Sequence, residues 1–221
     1  MIKGIIFDAD GVLFDSMSFW ENIGNIFLRT KGIEAEKDLN MKLETLSMEE
    51  GAQYLSEKYC PNQKPEEILE EIKKILETYY CNQIVLKKGV RECLEQFSKR
   101  KIPMVIATSG DKNLTNKALK RLNIDSFFNQ VITCTQAGKS KRFPDVYKMA
   151  AEQLEKNIEL KDIIVFEDSY HALCTAKKAG FQTVGIYDLS NKKERKKIKE
   201  IADYIMTEYQ DFEEMWKTLN K

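Results

Sequence analysis

The sequence predicts an α/β protein in which a doubly wound, mostly parallel sheet is interrupted by an all-helical insertion. Apolar runs of strand length recur along the chain, and helix-like segments separate the later runs. This alternation is typical of parallel strands that are covered by helices on both faces of a sheet. The predicted strands lie at residues 2–7, 102–107, 130–134, 163–166 and 183–187.

The connections between the later strands show helical periodicity. Residues 112–122 carry apolar side chains at helical spacing, and Pro144 can occupy the first turn of a further helix. We expect that helix to carry Val146, Met149, Ala150 and Leu154 on its apolar face. Helices in these places would form the crossovers that parallel strands require.

The segment from residue 16 to residue 86 breaks this alternation, because it contains helical patterns and no convincing strand. Ser47 and Glu50 match a capping box, and Pro65 opens a long helix with apolar residues at helical spacing. The insertion therefore has the material for a small core of its own. We expect one domain at residues 1–15 and 87–221, and an inserted domain at residues 16–86.

Composition and charge exclude several classes of protein. Lys and Arg together number 35, and Asp and Glu together also number 35, so the formal net charge is zero. This balance provides no overall field that would attract nucleic acid or an anionic membrane surface. The basic stretch 192–197 lacks interleaved aromatic residues and is interpreted as the solvated face of a helix.

The cysteine and histidine content excludes several kinds of catalytic and metal site. The five cysteines form no Cys-x-x-Cys pair and are interpreted as reduced structural thiols. His171 is the only histidine, so we expect neither a Ser–His or Cys–His nucleophile system nor a zinc cluster. No segment resembles a secretory leader or a membrane span. We therefore expect a cytoplasmic protein without a membrane or nucleic-acid partner, and we expect a monomer.

Polar residues follow the predicted strands at the points where the strands end. In a doubly wound sheet, ligands bind beyond the carboxyl ends of the strands, so these residues are candidates for one site. They are Asp8 and Asp10 after the first strand, Thr108, Ser109 and Gly110 after the second, Lys139 and Lys141 after the third, and Glu167 and Asp168 after the fourth. Each pattern alone could be a turn or a helix cap, but their joint occurrence at successive strand ends favours a shared function.

The candidate set provides what phosphoryl transfer requires: an oxygen nucleophile, a divalent cation, donors to the phosphate oxygens and a group that moves protons. Mg²⁺ prefers carboxylate and carbonyl oxygens, which suits Asp8, the backbone carbonyl of Asp10, and either Asp168 or Glu167. We expect Asp8 to attack phosphorus and form an aspartyl-phosphate. Asp10 can hold a proton beside a charged Asp8, and it would protonate the leaving oxygen and afterwards activate water.

Four motifs occur in order around the candidate residues. They are Asp8-Ala9-Asp10-Gly11-Val12-Leu13, Ile106-Ala107-Thr108-Ser109, Lys141-Arg142-Phe143-Pro144-Asp145 and Val165-Phe166-Glu167-Asp168-Ser169. With these motifs the chain resembles the haloacid dehalogenase-like superfamily, in particular its phosphatase and β-phosphoglucomutase-like branch, over nearly its whole length. The resemblance implies a Rossmann-like core, a mobile helical cap inserted after the first motif, Mg²⁺ as cofactor, and a small phosphorylated metabolite as substrate.

The resemblance also implies roles for individual residues. Asp8, Asp10 and Asp168 would hold Mg²⁺ with Glu167 behind them, and Thr108, Ser109, Gly110 and Lys141 would bind the phosphate. The family pattern sets the lysine three residues before the Pro-Asp that opens the next helix, which selects Lys141. Lys139 follows a glycine, as the family's lysine frequently does, and is the second choice.

Alternative activities remain open at this point. Asp10 argues against dehalogenation, because dehalogenases lack an acid two residues after the nucleophile. A phosphomutase resembling β-phosphoglucomutase agrees in the first motif, but that enzyme carries a histidine where this chain has Trp20 and an arginine near Met48. A non-catalytic receiver-type signalling domain is a third possibility, but such a domain accepts phosphate after its third strand, whereas Asp8 follows the first strand. A non-catalytic helical interaction protein is a fourth, but it would not need the polar residues at the strand ends. We predict a Mg²⁺-dependent phosphatase of small phosphate monoesters, with sugar phosphates as one candidate class.

Overall fold

The computed structural model describes residues 1–43 and 46–220, and the chain divides into two compact units. The larger unit comprises Met1–Asp15 and Ile84–Lys221, and the smaller unit comprises Ser16–Gln83. The return to the larger unit at Ile84 precedes the boundary at residue 87 that the sequence pattern suggests. The reason is a short backbone pairing, in which the amide of Asp15 donates to the carbonyl of Val85 at 3.0 Å.

Six strands form the sheet of the larger unit. They are β1 (Gly4–Phe7), β2 (Met104–Thr108), β3 (Val131–Thr133), β4 (Ile163–Glu167), β5 (Gln182–Ile186) and β6 (Tyr204–Met206). All pairings are parallel, and the order across the sheet is β3-β2-β1-β4-β5-β6. The first five strands match the predicted apolar runs to within two residues at each end. Strand β6 was not predicted; it is a three-residue edge strand with two half-buried side chains.

The chain reverses its direction of travel across the sheet at β1, which pairs with β2 on one side and with β4 on the other. Phe7 at the end of β1 is in register with Ile106 of β2 and with Phe166 of β4. The residues that follow these three strands therefore share one edge, at the switch point where open α/β sheets bind ligands. The fold is α/β, Rossmann-like and doubly wound, as predicted.

Helices are the regular secondary structure of the smaller unit among its described residues, and turns or irregular segments connect them. Its helices are α1 (Met17–Glu21), α2 (Ile23–Thr30), α3 (Leu39–Leu43), α4 (Met48–Tyr59) and α5 (Pro65–Asn82). The predicted capping box is confirmed, since the Ser47 side chain accepts from the amide of Glu50 and the Glu50 carboxylate accepts from the amide of Ser47. Trp20 donates its indole N–H to the hydroxyl of Tyr80 at 3.1 Å, within this unit.

Helices cover both faces of the sheet in the larger unit. They are α6 (Val90–Lys99), α7 (Lys112–Arg121), α8 (Cys134–Ala137), α9 (Asp145–Ala151), α10 (Tyr170–Lys178), α11 (Arg195–Ile201) and α12 (Phe212–Leu219). Alternate strand residues point to opposite faces, so neighbours in β1 enter different halves of the core. Ile6 joins a mainly aliphatic hydrophobic cluster with Val146 of α9 and Ala176 of α10, whereas Phe7 packs among aromatic rings that include Phe97 of α6.

Helix α9 is shorter than the apolar pattern predicts. It begins directly after Pro144 and ends at Ala151, so Leu154 lies beyond it. The amide of Leu154 donates to the carbonyl of Ala151, which is the tighter bonding pattern that often closes a helix. Leu154 nevertheless packs against this hydrophobic cluster, so the apolar pattern predicted its contact with the core correctly while misplacing the helix end.

A polar cluster ties β6 to the neighbouring elements. Asp203, just before β6, accepts hydrogen bonds from the amide and the hydroxyl of Thr183 at 2.9 Å each and from Lys177 Nζ at 2.8 Å. Burial alone would raise the pKa of the Asp203 carboxyl, but the hydrogen bonds from Lys177 and Thr183 outweigh it and lower the pKa below its ordinary value. The cluster therefore stabilises the charged carboxylate.

Three sequence interpretations can be compared with the described residues. All five cysteines are free thiols, as expected. The basic stretch leads into α11, where Ile198 is buried and the lysines of residues 192–197 are exposed, which agrees with a solvated helix face. None of the helices in the described parts of the chain has the length and apolar character that a membrane crossing requires.

Candidate active site

The carboxyl edge of the sheet brings together residues that are far apart in the sequence. Asp8 follows β1 directly, and its amide donates to the carbonyl of Phe166 in β4 at 3.0 Å. Thr108 ends β2, Glu167 ends β4, and Asp168 comes next. All four polar residues are buried, which is costly unless they are paired or hold a ligand. Such burial marks this edge as the candidate active site.

Lys141 lies at the centre of this cluster. Its Nζ atom is 2.6 Å from Asp8 Oδ1 and 2.5 Å from Glu167 Oε1, and its side chain is only 12% exposed. Burial opposes the charged form of the amine, but the negative charges of Asp8 and Glu167 outweigh burial and raise the pKa of Lys141. Lys141 is therefore a buried ammonium group that bridges the carboxylates of β1 and β4.

Lys139, the second choice for the active-site lysine, lies in a different environment. Its Nζ atom contacts Asp145 Oδ1 at 3.0 Å, and its side chain is 52% exposed. The ammonium group also lies 5.4 Å from the ring centre of Phe143, a cation–π distance. In this structure Lys139 belongs to the start of α9, and Lys141 belongs to the acidic cluster.

Glu167 is held by two donors on a single oxygen. Besides Lys141, the hydroxyl of the fully buried Tyr147 donates to Glu167 Oε1 at 2.7 Å. The other oxygen, Oε2, is buried without a hydrogen-bond partner among the described residues. A buried carboxylate oxygen without a partner is uncommon and indicates a missing ligand, ion or water.

Three carboxylates in this cluster could hold a cation together. Asp8, Glu167 and Asp168 each present an oxygen atom, and these atoms lie within 4.8 Å of one another. Burial, followed by the charge of Asp8, raises the pKa of Asp168 to about 7 and also raises the pKa of Glu167. One ammonium group does not balance three carboxylates, and a hard divalent cation would supply the remaining positive charge. The donor set therefore fits Mg²⁺.

The loop after β2 adds the predicted phosphate-binding residues. The amide of Gly110 donates to Thr108 Oγ1 at 3.0 Å. A methyl group built on Gly110 would lie 3.3 Å from Thr108 Oγ1 and 3.4 Å from Asp10 Oδ2, so these groups surround the glycine closely. Ser109 is exposed, and its hydroxyl lies 3.4 Å from the sulfur of Cys134. The structure thus brings Asp10, Thr108 and Gly110 together.

Two contacts of the acidic cluster were not found in the sequence. Tyr147 lies on the buried face of α9, and its sequence position predicts only an ordinary core residue. Asn191 follows β5 and donates to the carboxylate of Asp168 at 3.0 Å, although no motif covers it. One feature of the sequence could have identified Asn191: it follows a predicted strand, and the other candidate residues were selected because they follow strands.

Known proteins with this fold identify the family. The family model of haloacid dehalogenase-like hydrolases matches residues 5–186, and the chain belongs to this family. A phosphorylated carbohydrates phosphatase from Thermotoga maritima is 25% identical over 83% of this chain and 84% of its own length. The β-phosphoglucomutase of Bacillus subtilis is 25% identical over 84% of this chain and 83% of its own length.

The structural comparison agrees with the family assignment. A crystal structure from Thermotoga maritima, of a protein proposed to be a β-phosphoglucomutase, matches with a TM-score of 0.84 and 23% identity. The match covers 98% of this chain and 99% of that chain, which supports the fold over the full length. The family and its phosphatase members identify the chain as an enzyme of the phosphatase type.

Proposed function

We propose that the protein is a Mg²⁺-dependent phosphatase that hydrolyses a small phosphate monoester through an aspartyl-phosphate on Asp8. The observation that carries the proposal is the position of Lys141, whose ammonium group touches Asp8 and Glu167 beside Asp168. One edge of the sheet thereby holds a carboxylate that could act as nucleophile, a buried ammonium group and a cluster of acids whose oxygens suit a divalent cation. The phosphatase from Thermotoga maritima supports phosphorylated carbohydrates as the substrate class.

In the first half of the reaction, a carboxylate oxygen of Asp8 attacks the phosphorus atom. A new oxygen–phosphorus bond forms while the bond between phosphorus and the leaving oxygen breaks. Asp10 donates its proton to the leaving oxygen, so that an alcohol departs and the phosphoryl group stays on Asp8. The ammonium group of Lys141 lies 2.6 Å from Asp8 Oδ1, beside the attacking carboxylate.

In the second half, a water molecule attacks the phosphorus atom of the aspartyl-phosphate. Asp10, now a carboxylate, removes a proton from that water, and the bond between phosphorus and the Asp8 oxygen breaks. Inorganic phosphate leaves, and both aspartates return to their starting states. Asp10 is thus a general acid in the first step and a general base in the second, because it has lost its proton by the time that water attacks.

Asp8, the backbone carbonyl of Asp10 and Asp168 would hold Mg²⁺, with Glu167 behind them. When bound there, Mg²⁺ supplies positive charge that offsets the repulsion between the phosphate and the carboxylates. The Oε2 atom of Glu167 has no hydrogen-bond partner among the described residues and supports this placement, because a buried carboxylate oxygen needs a nearby donor or cation.

Thr108, Ser109, Gly110 and Lys141 would bind the phosphate oxygens. The hydroxyl of Thr108 is buried and the side chain of Lys141 is only 12% exposed, so both donors are held in place, and Gly110 lies close to Thr108 and Asp10. Donors that are held in place before the substrate arrives stabilise the transferring phosphoryl group without reorganisation.

A phosphomutase is the second candidate, and the relative from Bacillus subtilis supports it. In a mutase, a phosphorylated sugar intermediate would take the place of water in the second half-reaction. Trp20 weakens this candidate, since it stands where the resemblance implies a histidine and its indole N–H is bonded to Tyr80.

A cytoplasmic location and a monomeric state remain predictions.

A panel of phosphate monoesters tests the proposal. Purified protein with Mg²⁺ is assayed for phosphate release from an aryl phosphate and from sugar phosphates, and glucose phosphates are also assayed for isomerisation. We expect phosphate release that EDTA and Asp8→Asn each abolish. Rapid isomerisation with negligible release would replace the phosphatase by the mutase, and turnover that survives Asp8→Asn would contradict both.

A further inference from the structure

The turn after β5 makes two hydrogen bonds to Asp168. The side-chain amide of Asn191 donates to the backbone carbonyl of Asp168 at 2.9 Å and to its carboxylate oxygen Oδ2 at 3.0 Å. Both partners are oxygen atoms, so only the NH₂ end of the amide can face them, which fixes its orientation. Asn191 therefore holds the main chain and the side chain of Asp168 at once.

The turn that carries Asn191 is itself fixed. Asp188 accepts from the amide of Ser190 at 2.9 Å and from its hydroxyl at 2.7 Å, which closes the turn. Lys87 forms an ion pair with the other oxygen of Asp188, and the two side chains are 15% and 8% exposed. Buried pairs of this kind are stable only with well-defined geometry, so the turn presents Asn191 from a rigid base.

We propose that Asn191 is a positioning residue for Asp168 in cation binding. The inference rests on the proposed function, in which Asp168 is a Mg²⁺ ligand. A carboxylate turns easily about its terminal torsion, and a donor on one of its oxygens restricts that rotation. Groups that orient metal ligands from behind typically change metal affinity or activity about 10- to 100-fold when they are removed.

Two substitutions with a matched control test this role. Asn191→Ala removes both hydrogen bonds to Asp168. The control is Asn129→Ala, because the amide of Asn129 also donates to a backbone carbonyl, that of Gln153 at 3.0 Å, but contacts none of the three clustered carboxylates. Asn191→Ser serves as a second variant, since its hydroxyl is too short to span the same contacts.

The measurement is the affinity for Mg²⁺ alone, by isothermal titration calorimetry of the full chain without substrate. We expect Asn191→Ala and Asn191→Ser to weaken Mg²⁺ binding by about tenfold, and we expect Asn129→Ala to bind like the unmodified protein. Thermal unfolding without Mg²⁺ tests whether each variant is folded. If Asn191→Ala does not fold, the Mg²⁺ affinity of Asn191→Ser alone tests the role of Asn191. In the activity assay, raising the Mg²⁺ concentration should restore most of kcat, which general damage to the fold would not permit.

The outcomes separate the inference from the proposed function. If the unmodified protein binds Mg²⁺ and the folded Asn191 variants bind it equally well, the positioning role is wrong while the phosphatase proposal stands. If the unmodified protein does not bind Mg²⁺ and shows no Mg²⁺-dependent turnover, the proposed function fails and the positioning role fails with it. Weakened binding in all three variants would also overturn the role of Asn191.

Discussion

Replacing Lys141 with alanine removes the only cation that the described structure places between Asp8 and Glu167. At 2.6 Å, the attraction between Nζ and Asp8 Oδ1 is about 6 kcal/mol for an effective dielectric constant near 20. Part of this attraction offsets the cost of burying the charges, and breaking one partner of a buried pair typically costs about 3–5 kcal/mol. If that loss raises the activation barrier in full, kcat/KM falls by between about 160-fold and about 4,700-fold, at about 1.36 kcal/mol per factor of ten.

Lys139→Ala is the matched comparison, because it removes the same side chain two residues away. Lys139 pairs with Asp145 at the surface, and such pairs contribute little, so we expect less than about a fivefold change. Initial rates of aryl phosphate hydrolysis with Mg²⁺ provide the assay, and thermal unfolding shows that both variants are folded at the assay temperature. Equal losses in the two variants, or the larger loss in Lys139→Ala, would refute the assignment of Lys141.

Three further substitutions extend the account. Gly110→Ala should lower kcat/KM about 10- to 100-fold, because the new methyl group would lie 3.3 Å from Thr108 Oγ1 and would displace this hydroxyl. Steady-state kinetics that match the unmodified enzyme would contradict phosphate binding at this loop. Tyr147→Phe removes a buried donor to Glu167 and should lower the free energy of unfolding by about 1–3 kcal/mol in urea titrations; an unchanged midpoint would show that Glu167 does not need this donor. Asp203→Asn should destabilise the fold by about 1–2 kcal/mol at pH 7, and the difference should shrink as the pH falls from about 5 to about 3. The sign follows from the pKa of Asp203, which is lowered in the folded state: its stabilisation is present above the unfolded pKa and is lost as pH falls through the folded pKa. A pH-independent difference would contradict this assignment.

The sequence predicted the architecture well because hydrophobic periodicity reports burial directly. Five apolar runs became the first five strands of a parallel sheet, and the helical insertion appeared where the alternation of strands stopped. The failures concern one short strand and the ends of two other segments. The edge strand β6 has only three residues and two half-buried side chains, so its apolar signal is weak. Backbone pairing at Val85 and the early end of α9 depend on hydrogen bonds that no periodicity shows.

The candidate site was predictable where one rule applied, namely that polar residues just after parallel strands meet at one edge. This rule and the motifs found Asp8 and Asp168, which the structure brings together. The position after β3 left both Lys139 and Lys141 open, and the family pattern favoured Lys141. In the structure Lys141 contacts Asp8, whereas Lys139 contacts Asp145 at the surface. Asn191 has no apolar pattern or motif to reveal it, because its contact with Asp168 depends on the conformation of a turn.

The central claim is that Asp8 becomes phosphorylated during turnover. Its most direct test is mass spectrometry of protein that is quenched in acid during turnover of an aryl phosphate with Mg²⁺. We expect a phosphate adduct on the peptide that contains Asp8, present with substrate and Mg²⁺ and absent in Asp8→Asn. An adduct on another residue, or steady turnover with an adduct that persists in Asp8→Asn, would contradict it.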